Sequence, residues 1–237
     1  MSLFAHVTAL LLLTSVASAK PIVLATFAIP LMVESPERGL FVNLTREIAK
    51  RNSRQIEILV YPTGKTLLAF SNNKVDGFFP ALDVYVPQAT AKSTAFYRKV
   101  DYVFYKKDKP LRSLKDLEGK KVGLTFRYPY VRELIGNKKI RFEMAADDVL
   151  NMKKLGKGLI DAFVVEERSG LKALQLSGQK QIEFDRNQPL SEQVVYYAFQ
   201  DNEDGKRLAD IFSRTIESMK KDGSLDRVLT ETATTTP

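Results

Sequence analysis

The chain alternates between short apolar runs and segments whose apolar residues recur at helical spacing. Pro21–Phe27 is a continuous apolar run, typical of a strand that is covered on both faces. Leu40–Arg51 has apolar residues at 41, 44 and 48 with polar residues between them, which predicts a helix. Predicted strands over Gln55–Tyr61 and Gly77–Leu82 flank another predicted helix over Lys65–Asn72. This order of strands and helices predicts right-handed crossover units and a mainly parallel sheet.

The alternation starts again after an extended run over Val100–Tyr105. Its predicted elements are a helical turn over Leu114–Gly119, strands over Lys121–Thr125, Ile140–Met144 and Asp161–Val165, and helices over Pro129–Ile135 and Asp147–Leu155. A second extended run, Val194–Phe199, precedes a long amphipathic helix over Arg207–Lys221. We therefore expect two lobes joined by two crossings: residues 20–104 and 195–237 form lobe 1, and residues 105–194 form lobe 2. Such proteins bind small molecules in the cleft between the lobes and close around them.

The first 19 residues have the features of a secretory signal peptide. Residues 7–19 form a short apolar run that ends in the small residues Ala17-Ser18-Ala19, although no Lys or Arg precedes it. The run is shorter than the roughly 20 apolar residues that a transmembrane helix needs. We expect cleavage after Ala19 and a periplasmic protein; the alternative is a buried first strand or helix.

Composition excludes several kinds of chemistry. The 237 residues include no Cys, and the one His, His6, lies within the predicted signal peptide. A mature chain without thiols or imidazoles cannot carry Ser-His-Asp or Cys-His catalysis, and zinc or copper sites are not expected in it. We predict no catalytic residue, no metal site and no cofactor.

The net charge of +8 does not indicate a nucleic-acid partner. Its basic residues form scattered doublets such as Lys120-Lys121 and Lys153-Lys154, whereas nucleic-acid surfaces concentrate their charge in one patch with stacking aromatics. We interpret the doublets as parts of solvated faces. Separately, we expect the protein to be a monomer.

Four motifs in order carry a resemblance to a known family. They are Lys74–Gly77 (KVDG), Leu114–Gly123 (LKDLEGKKVG), Gly158–Glu166 (GLIDAFVVE) and Asp222–Asp226 (DGSLD). From Pro21 to Thr230 the chain resembles type II periplasmic solute-binding proteins, in particular the amino-acid-binding group called extracellular solute-binding protein family 3. The resemblance implies a two-lobed α/β fold with mixed, mainly parallel sheets and flanking helices.

The resemblance also implies a function and partners. Its members capture a small polar or amino-acid-like solute and deliver it to the inner-membrane permease of an ABC-type importer. Two alternatives share the fold: a sensor protein that presents its ligand to a membrane receptor or kinase, and an enzyme similar to cyclohexadienyl dehydratases.

The ligand-reading positions of the family are only partly present. An Arg that follows a Thr and clamps the ligand carboxylate has no counterpart in the stretch Ala89-Thr90-Ala91-Lys92, and Lys does not replace a bidentate guanidinium without loss. After Val122-Gly123 the family has a Gly followed by small hydroxyl residues at a helix start, whereas this chain has Thr125–Tyr130 (TFRYPY). Glu166 matches the acidic position that takes the ligand ammonium.

Seven side chains are therefore our ligand-binding candidates, each with a structural alternative. Arg127 beside a predicted helix start favours an anion, with Tyr128 and Tyr130 next to it, but it could equally be a surface Arg with Tyr rings packed on the lobe. Glu166 binds an ammonium or pairs with Arg168. The candidates are Phe27, Asp83, Tyr85, Arg127, Tyr128, Tyr130 and Glu166.

The lobe 1 candidates have structural alternatives too. Asp83 follows a predicted strand and would face the cleft with Tyr85, or it caps a turn or helix. Phe27 forms an aromatic wall of the cleft or packs in the core.

Overall fold

A computed structural model describes residues 20–87 and 89–230, so the predicted signal peptide, residues 1–19, lies outside the described residues. The strands are β1 (Ile22–Thr26), β2 (Ile56–Val60), β3 (Gly77–Ala81), β4 (Ala91–Lys92), β5 (Tyr97–Lys106), β6 (Lys121–Thr125), β7 (Arg141–Ala145), β8 (Ala162–Glu166), β9 (Ile182–Glu183) and β10 (Ser191–Phe199). The helices are α1 (Leu40–Arg51), α2 (Thr63–Ser71), α3 (Arg132–Ile135), α4 (Asp148–Gly156), α5 (Glu167–Ser177), α6 (Glu203–Lys221) and α7 (Ser224–Val228).

Lobe 1 is built on β1 to β4. Strand β1 lies between β2 and β3 and is parallel to both. Its alternate residues pack in opposite directions: Leu24 lies in the core under α1 and α6, and Ala25 lies in a second core under α2. This two-sided burial explains why the sequence of β1 is a continuous apolar run.

Lobe 2 is built on β6 to β9. Strand β6 lies between β7 and β8 and is parallel to both, with Val122 beside Phe142 and Ala162. One face of this sheet packs against Leu134 of α3, and the other packs against Leu155 of α4 and Ala173 of α5. Each lobe is thus a sheet between helical layers, as the resemblance implies.

Strands β5 and β10 cross between the lobes. They pair antiparallel with each other from Ser191 beside Asp101 to Val195 beside Tyr97. Beyond that stretch β5 continues into lobe 2 against β8, and β10 continues into lobe 1 against β3 and β4. The two-lobed α/β fold is confirmed, and the residues at which the lobes divide stay a prediction.

Several elements differ from the predicted ones. Leu114–Gly119 consists of hydrogen-bonded turns, and α3 begins at Arg132 rather than Pro129 because Val131 has an extended backbone. Helix α5 was not predicted. Among residues 20–87 and 89–230, no helix is long and apolar enough to cross a membrane.

Candidate functional site

A cavity of about 370 Å³ lies between the two lobes. Its walls come from the residues that follow β3, from the start of α3 and from the crossing strand β10. The lining residues are Asp83, Val84, Val131, Arg132, Glu133, Glu192, Gln193 and Val194. Because α3 follows β6, two of the three walls lie beyond the carboxyl ends of parallel strands, where ligands bind in open α/β sheets.

Two carboxylates of this cavity already pair with cations of the protein. Asp83 accepts hydrogen bonds of 2.6 Å from Lys92 Nζ and from the Tyr196 hydroxyl, and these bonds lower the pKa of Asp83, that of Lys92 most. Glu192 forms an ion pair with Arg98. Lys92 lies near the position where the family has its carboxylate-clamping Arg, and it therefore binds a carboxylate of its own lobe.

Arg132 and Glu133 at the start of α3 are the two other charged residues of the cavity lining. Both are exposed and line the cavity. Within residues 20–87 and 89–230, no opposite charge lies within ion-pair distance of either side chain. The cavity wall therefore offers one guanidinium and one carboxylate to a ligand. These two residues are not among the seven candidates predicted from the sequence, although their position just after the Thr125–Tyr130 loop was a usable signal.

Tyr128 and Glu166 meet where β6 and β8 end. The backbone N–H of Glu166 donates to the Tyr128 hydroxyl at 3.2 Å. The Glu166 carboxylate is 5% exposed, and both its oxygens are engaged: Oε1 accepts from the Tyr97 hydroxyl at 2.8 Å and Oε2 from the Ser169 N–H at 2.9 Å. Glu166 thus caps α5. Burial and the nearby Glu166 charge raise the pKa of Tyr97, which keeps its hydroxyl a donor.

A buried ion pair adjoins Tyr128. Lys99 Nζ donates to both oxygens of Asp101 at 2.6 and 2.7 Å, and the two residues are 6% and 1% exposed. Ser191 Oγ donates to the same carboxylate at 3.0 Å, and Lys99 Nζ lies 4.5 Å from the centroid of the Tyr128 ring. Burial raises the pKa of Asp101, and the Lys99 charge opposes that rise. The ion pair lies within β5, and the hydrogen bond from Ser191 links its carboxylate to the other crossing strand, β10.

Arg127 lies apart from this network. It is exposed, its guanidinium lies 5.1 Å from the centroid of the Phe126 ring, and it does not line the cavity. Its backbone has φ +63°, a left-handed conformation that is strained for a residue with a side chain. Such strain often marks a functional loop.

Three aromatic candidates make internal contacts. Tyr130 is buried, accepts from the Thr125 N–H at 2.8 Å and donates to the Val164 carbonyl at 3.1 Å, so it fixes the loop after β6. The Tyr85 hydroxyl donates to the Pro80 carbonyl at 2.5 Å. Phe27, which follows β1, is 9% exposed. The structure thus brings together Tyr128, Tyr130 and Glu166, while Asp83 lines the cavity separately.

No protein-family model matches the sequence, and no curated protein matches it. Solved structures do match. The GluR0 ligand-binding core from Nostoc punctiforme, in complex with L-glutamate, has a TM-score of 0.71 at 20% identity, with 88% of this chain and 97% of that chain covered. A histidine kinase sensor domain with similarity to periplasmic binding proteins gives 0.72 at 18%, covering 92% and 97%.

A substrate-binding protein of an amino acid ABC transporter gives a TM-score of 0.65 at 20% identity, covering 90% of this chain and 99% of that chain. At these identities the matches show the fold. The chain therefore has the fold of the two-lobed periplasmic binding proteins, and the resemblance found in the sequence is confirmed at that level.

Proposed function

We propose that the protein is a solute-binding protein that captures a small, amino-acid-like solute between its lobes and closes around it. The observation that carries the proposal is the interlobe cavity, whose wall holds Arg132 and Glu133, neither of which forms an ion pair within residues 20–87 and 89–230. Its volume falls in the range of about 300–1,000 Å³ that small-molecule sites occupy.

The two unpaired charges favour a zwitterionic ligand. A guanidinium binds a carboxylate through two parallel hydrogen bonds, which a Lys ammonium cannot do. Arg132 would hold the ligand carboxylate, and Glu133 would accept hydrogen bonds from its ammonium. Arg127, five residues earlier, is a second candidate for the anionic end, and Glu166 is a second candidate for the cationic end.

Closure would occur about the two crossing strands. Strands β5 and β10 are the chain segments that pass between the sheets of the two lobes, and they pair with each other there. Rotation about this pair changes the distance between Asp83 in lobe 1 and Arg132 in lobe 2, so ligand capture and lobe rotation are coupled. The lobe limits of this proposal are residues 20–104 with 195–237, and residues 105–194.

Delivery to an ABC-type importer from the periplasm is the leading role, with ligand presentation to a membrane receptor or kinase as the second. The similar structures include both a substrate-binding protein of an amino acid ABC transporter and a histidine kinase sensor domain. Both roles need binding and closure without chemistry. A dehydratase-like activity is the third reading, and no arrangement in the cavity requires it.

A ligand screen tests the proposal. We would record thermal unfolding against amino acids, organic acids, amines and sugars, since a ligand at 100 times its Kd adds about 2.7 kcal/mol to the free energy of unfolding. Calorimetry and small-angle scattering would follow for each hit. Stabilisation by amino acids with a smaller radius of gyration supports the proposal, and stabilisation by none of the four classes contradicts it. Turnover of a prephenate-like substrate would instead support the dehydratase-like activity.

A further inference from the structure

A second groove lies on lobe 1, at the sheet edge opposite the interlobe cavity. It measures about 480 Å³ and lies against the carboxyl-terminal half of α1 and the amino ends of β1 and β2. Its lining residues are Pro21, Arg46, Ala49, Lys50, Arg54, Gln55, Ile56 and Glu57. The ligand cavity lies beyond the carboxyl ends of the parallel strands, so this groove belongs to a different part of the surface.

Three cations converge on this groove. Arg46 and Lys50 are four residues apart on α1, and Arg54 follows the helix. In residues 20–87 and 89–230 none of the three forms an ion pair, although neighbouring Arg51 pairs with Glu47 and Asp222. Glu57 is the one carboxylate of the lining, and it is exposed. Like charges at this spacing repel each other, and an anion in the groove would relieve that repulsion.

Arg54 supplies an independent observation. Its Nε atom is buried and has no hydrogen-bond partner among the described residues. A guanidinium N–H is an obligate donor, and leaving it buried without an acceptor costs free energy. Arg46 satisfies part of its own guanidinium by donating to the Pro36 carbonyl at 2.9 Å. The surrounding protein thus provides no acceptor for this N–H, and because Nε has almost no accessible surface, an anion in the groove meets it only when the Arg54 side chain turns outward.

We infer that the groove binds an oxoanion, a phosphate or carboxylate group held by Arg54 with Arg46 and Lys50. Planar guanidinium groups bind such anions through paired, charge-assisted hydrogen bonds. The anion is either a free small molecule or the head group of an anionic lipid, which present the same chemistry. This site is separate from the proposed solute cavity and does not depend on it.

The test follows the Arg54 Nε–H signal by NMR during a titration with inorganic phosphate, in which sodium chloride is replaced at constant ionic strength. We expect a saturable downfield shift of that signal and of the backbone amides of residues 54–57. Arg54→Gln should weaken phosphate binding at least about tenfold, the value of one charge-assisted hydrogen bond. Arg214→Gln, an exposed Arg of α6, is the matched control and should not change it.

Further arms separate the remaining outcomes. Arg132→Gln should leave the shifts intact, because it lies in the other cavity; loss of the shifts in that variant overturns the inference. If Arg54→Gln does not fold, the phosphate affinity of Lys50→Gln, a variant of an exposed residue, is the test. An unchanged affinity in that variant overturns the inference, and Lys50 then serves only the carboxyl end of α1. Vesicles of phosphatidylglycerol against phosphatidylcholine distinguish a lipid head group from free phosphate. Equal shifts with chloride, or no shift with phosphate or vesicles, overturn it.

Discussion

Arg168 of α5 donates a hydrogen bond of 2.5 Å from Nη1 to the backbone carbonyl of Leu229, the residue that follows α7. Helix α5 packs on the sheet of lobe 2, whereas Leu229 lies in the core of lobe 1. The bond therefore joins the lobes independently of the crossing strands. Arg168 also lies 5.6 Å from the centroid of the Tyr97 ring, and it does not pair with Glu166, its predicted alternative partner.

Removal of this interlobe bond should favour separation of the lobes. Arg168→Met retains most of the volume and removes the donor. A hydrogen bond from a charged donor contributes about 1.5–3 kcal/mol, so the equilibrium between joined and separated lobes should shift about ten- to a hundredfold. Small-angle scattering of the ligand-free protein should show a larger radius of gyration. The control is Arg186→Met, which removes a surface ion pair with Glu167 in lobe 2; equal radii for parent and Arg168→Met would contradict the prediction.

Removal of one partner of the buried Lys99–Asp101 pair should be strongly destabilising. Lys99→Met leaves the Asp101 carboxylate buried without its cation, which costs about 3–5 kcal/mol. The double variant Lys99→Met/Asp101→Leu should recover much of that loss, because no uncompensated charge remains. Urea unfolding of the single and double variants measures both effects. Additive losses in the double variant would show that the two charges do not act as a pair.

The anionic end of the ligand should depend on Arg132. Arg132→Gln should weaken a carboxylate-bearing ligand from the screen about ten- to a hundredfold, the value of one charge-assisted hydrogen bond. Calorimetry of Arg127→Ala provides the comparison, because Arg127 precedes the same helix but does not line the cavity. Tight binding by Arg132→Gln together with weak binding by Arg127→Ala would place the anion contact at Arg127, as the sequence alone predicts.

Glu166→Gln should lower stability more than ligand selectivity. Its two carboxylate oxygens accept from Tyr97 and from Ser169, and hydrogen bonds to a charged group contribute about 1.5–3 kcal/mol each. Gln keeps the shape but removes the charge, so thermal unfolding should occur at a lower temperature. The control is Glu167→Gln at the next position, which removes only a surface ion pair with Arg186 and should lower stability less. Selective loss of affinity for ammonium-bearing ligands with unchanged stability would instead support the ligand role predicted from sequence.

Asp222 should contribute to stability above about pH 4 and lose that contribution as the pH falls through 2. Hydrogen bonds from Ser224 and from Arg51, the latter at 2.9 Å, lower the pKa of Asp222 from 3.8 to about 2. Because the folded-state pKa is the lower one, protonation favours the unfolded state in this window. Asp222→Asn should therefore be less stable than the parent at pH 5 and equal to it only below pH 2. Urea unfolding across this range measures the difference; Asp210→Asn, an exposed residue of α6, should keep the parent's pH dependence.

The regular elements with clear periodicity were predictable from the sequence. Helix α1 and strand β6 have the predicted bounds. The apolar residues of α1 recur on one buried face of the helix, and the central residues of β6 form an apolar run that is buried on both faces of the sheet. Helix α5 was not predicted because Glu166 was interpreted as a ligand contact. In the structure Glu166 is the residue that caps the start of the helix. A capping role and a binding role require the same residue type at the same place.

The site was less predictable because its contacts join distant parts of the chain. Lys99 and Asp101 look like solvated charges in a single strand, and only the pairing of β5 with β8 and β10 buries them. Arg132 and Asp83 are 132 − 83 = 49 residues apart, yet they line one cavity. Local sequence patterns locate the ends of strands, but they do not show which charged side chains form ion pairs within their own lobe.

The strand that pairs with β3 of lobe 1 is made late in synthesis. Gly77 of β3 pairs with Phe199 of β10, a separation of 199 − 77 = 122 residues. A ribosome must therefore complete all of lobe 2 before β3 of lobe 1 can pair with β10. Contacts this distant slow folding, because a long loop must close before the pairing stabilises it. Lobe 2, whose strands are contiguous in sequence, can form its sheet first, and lobe 1 then assembles around the returning strand.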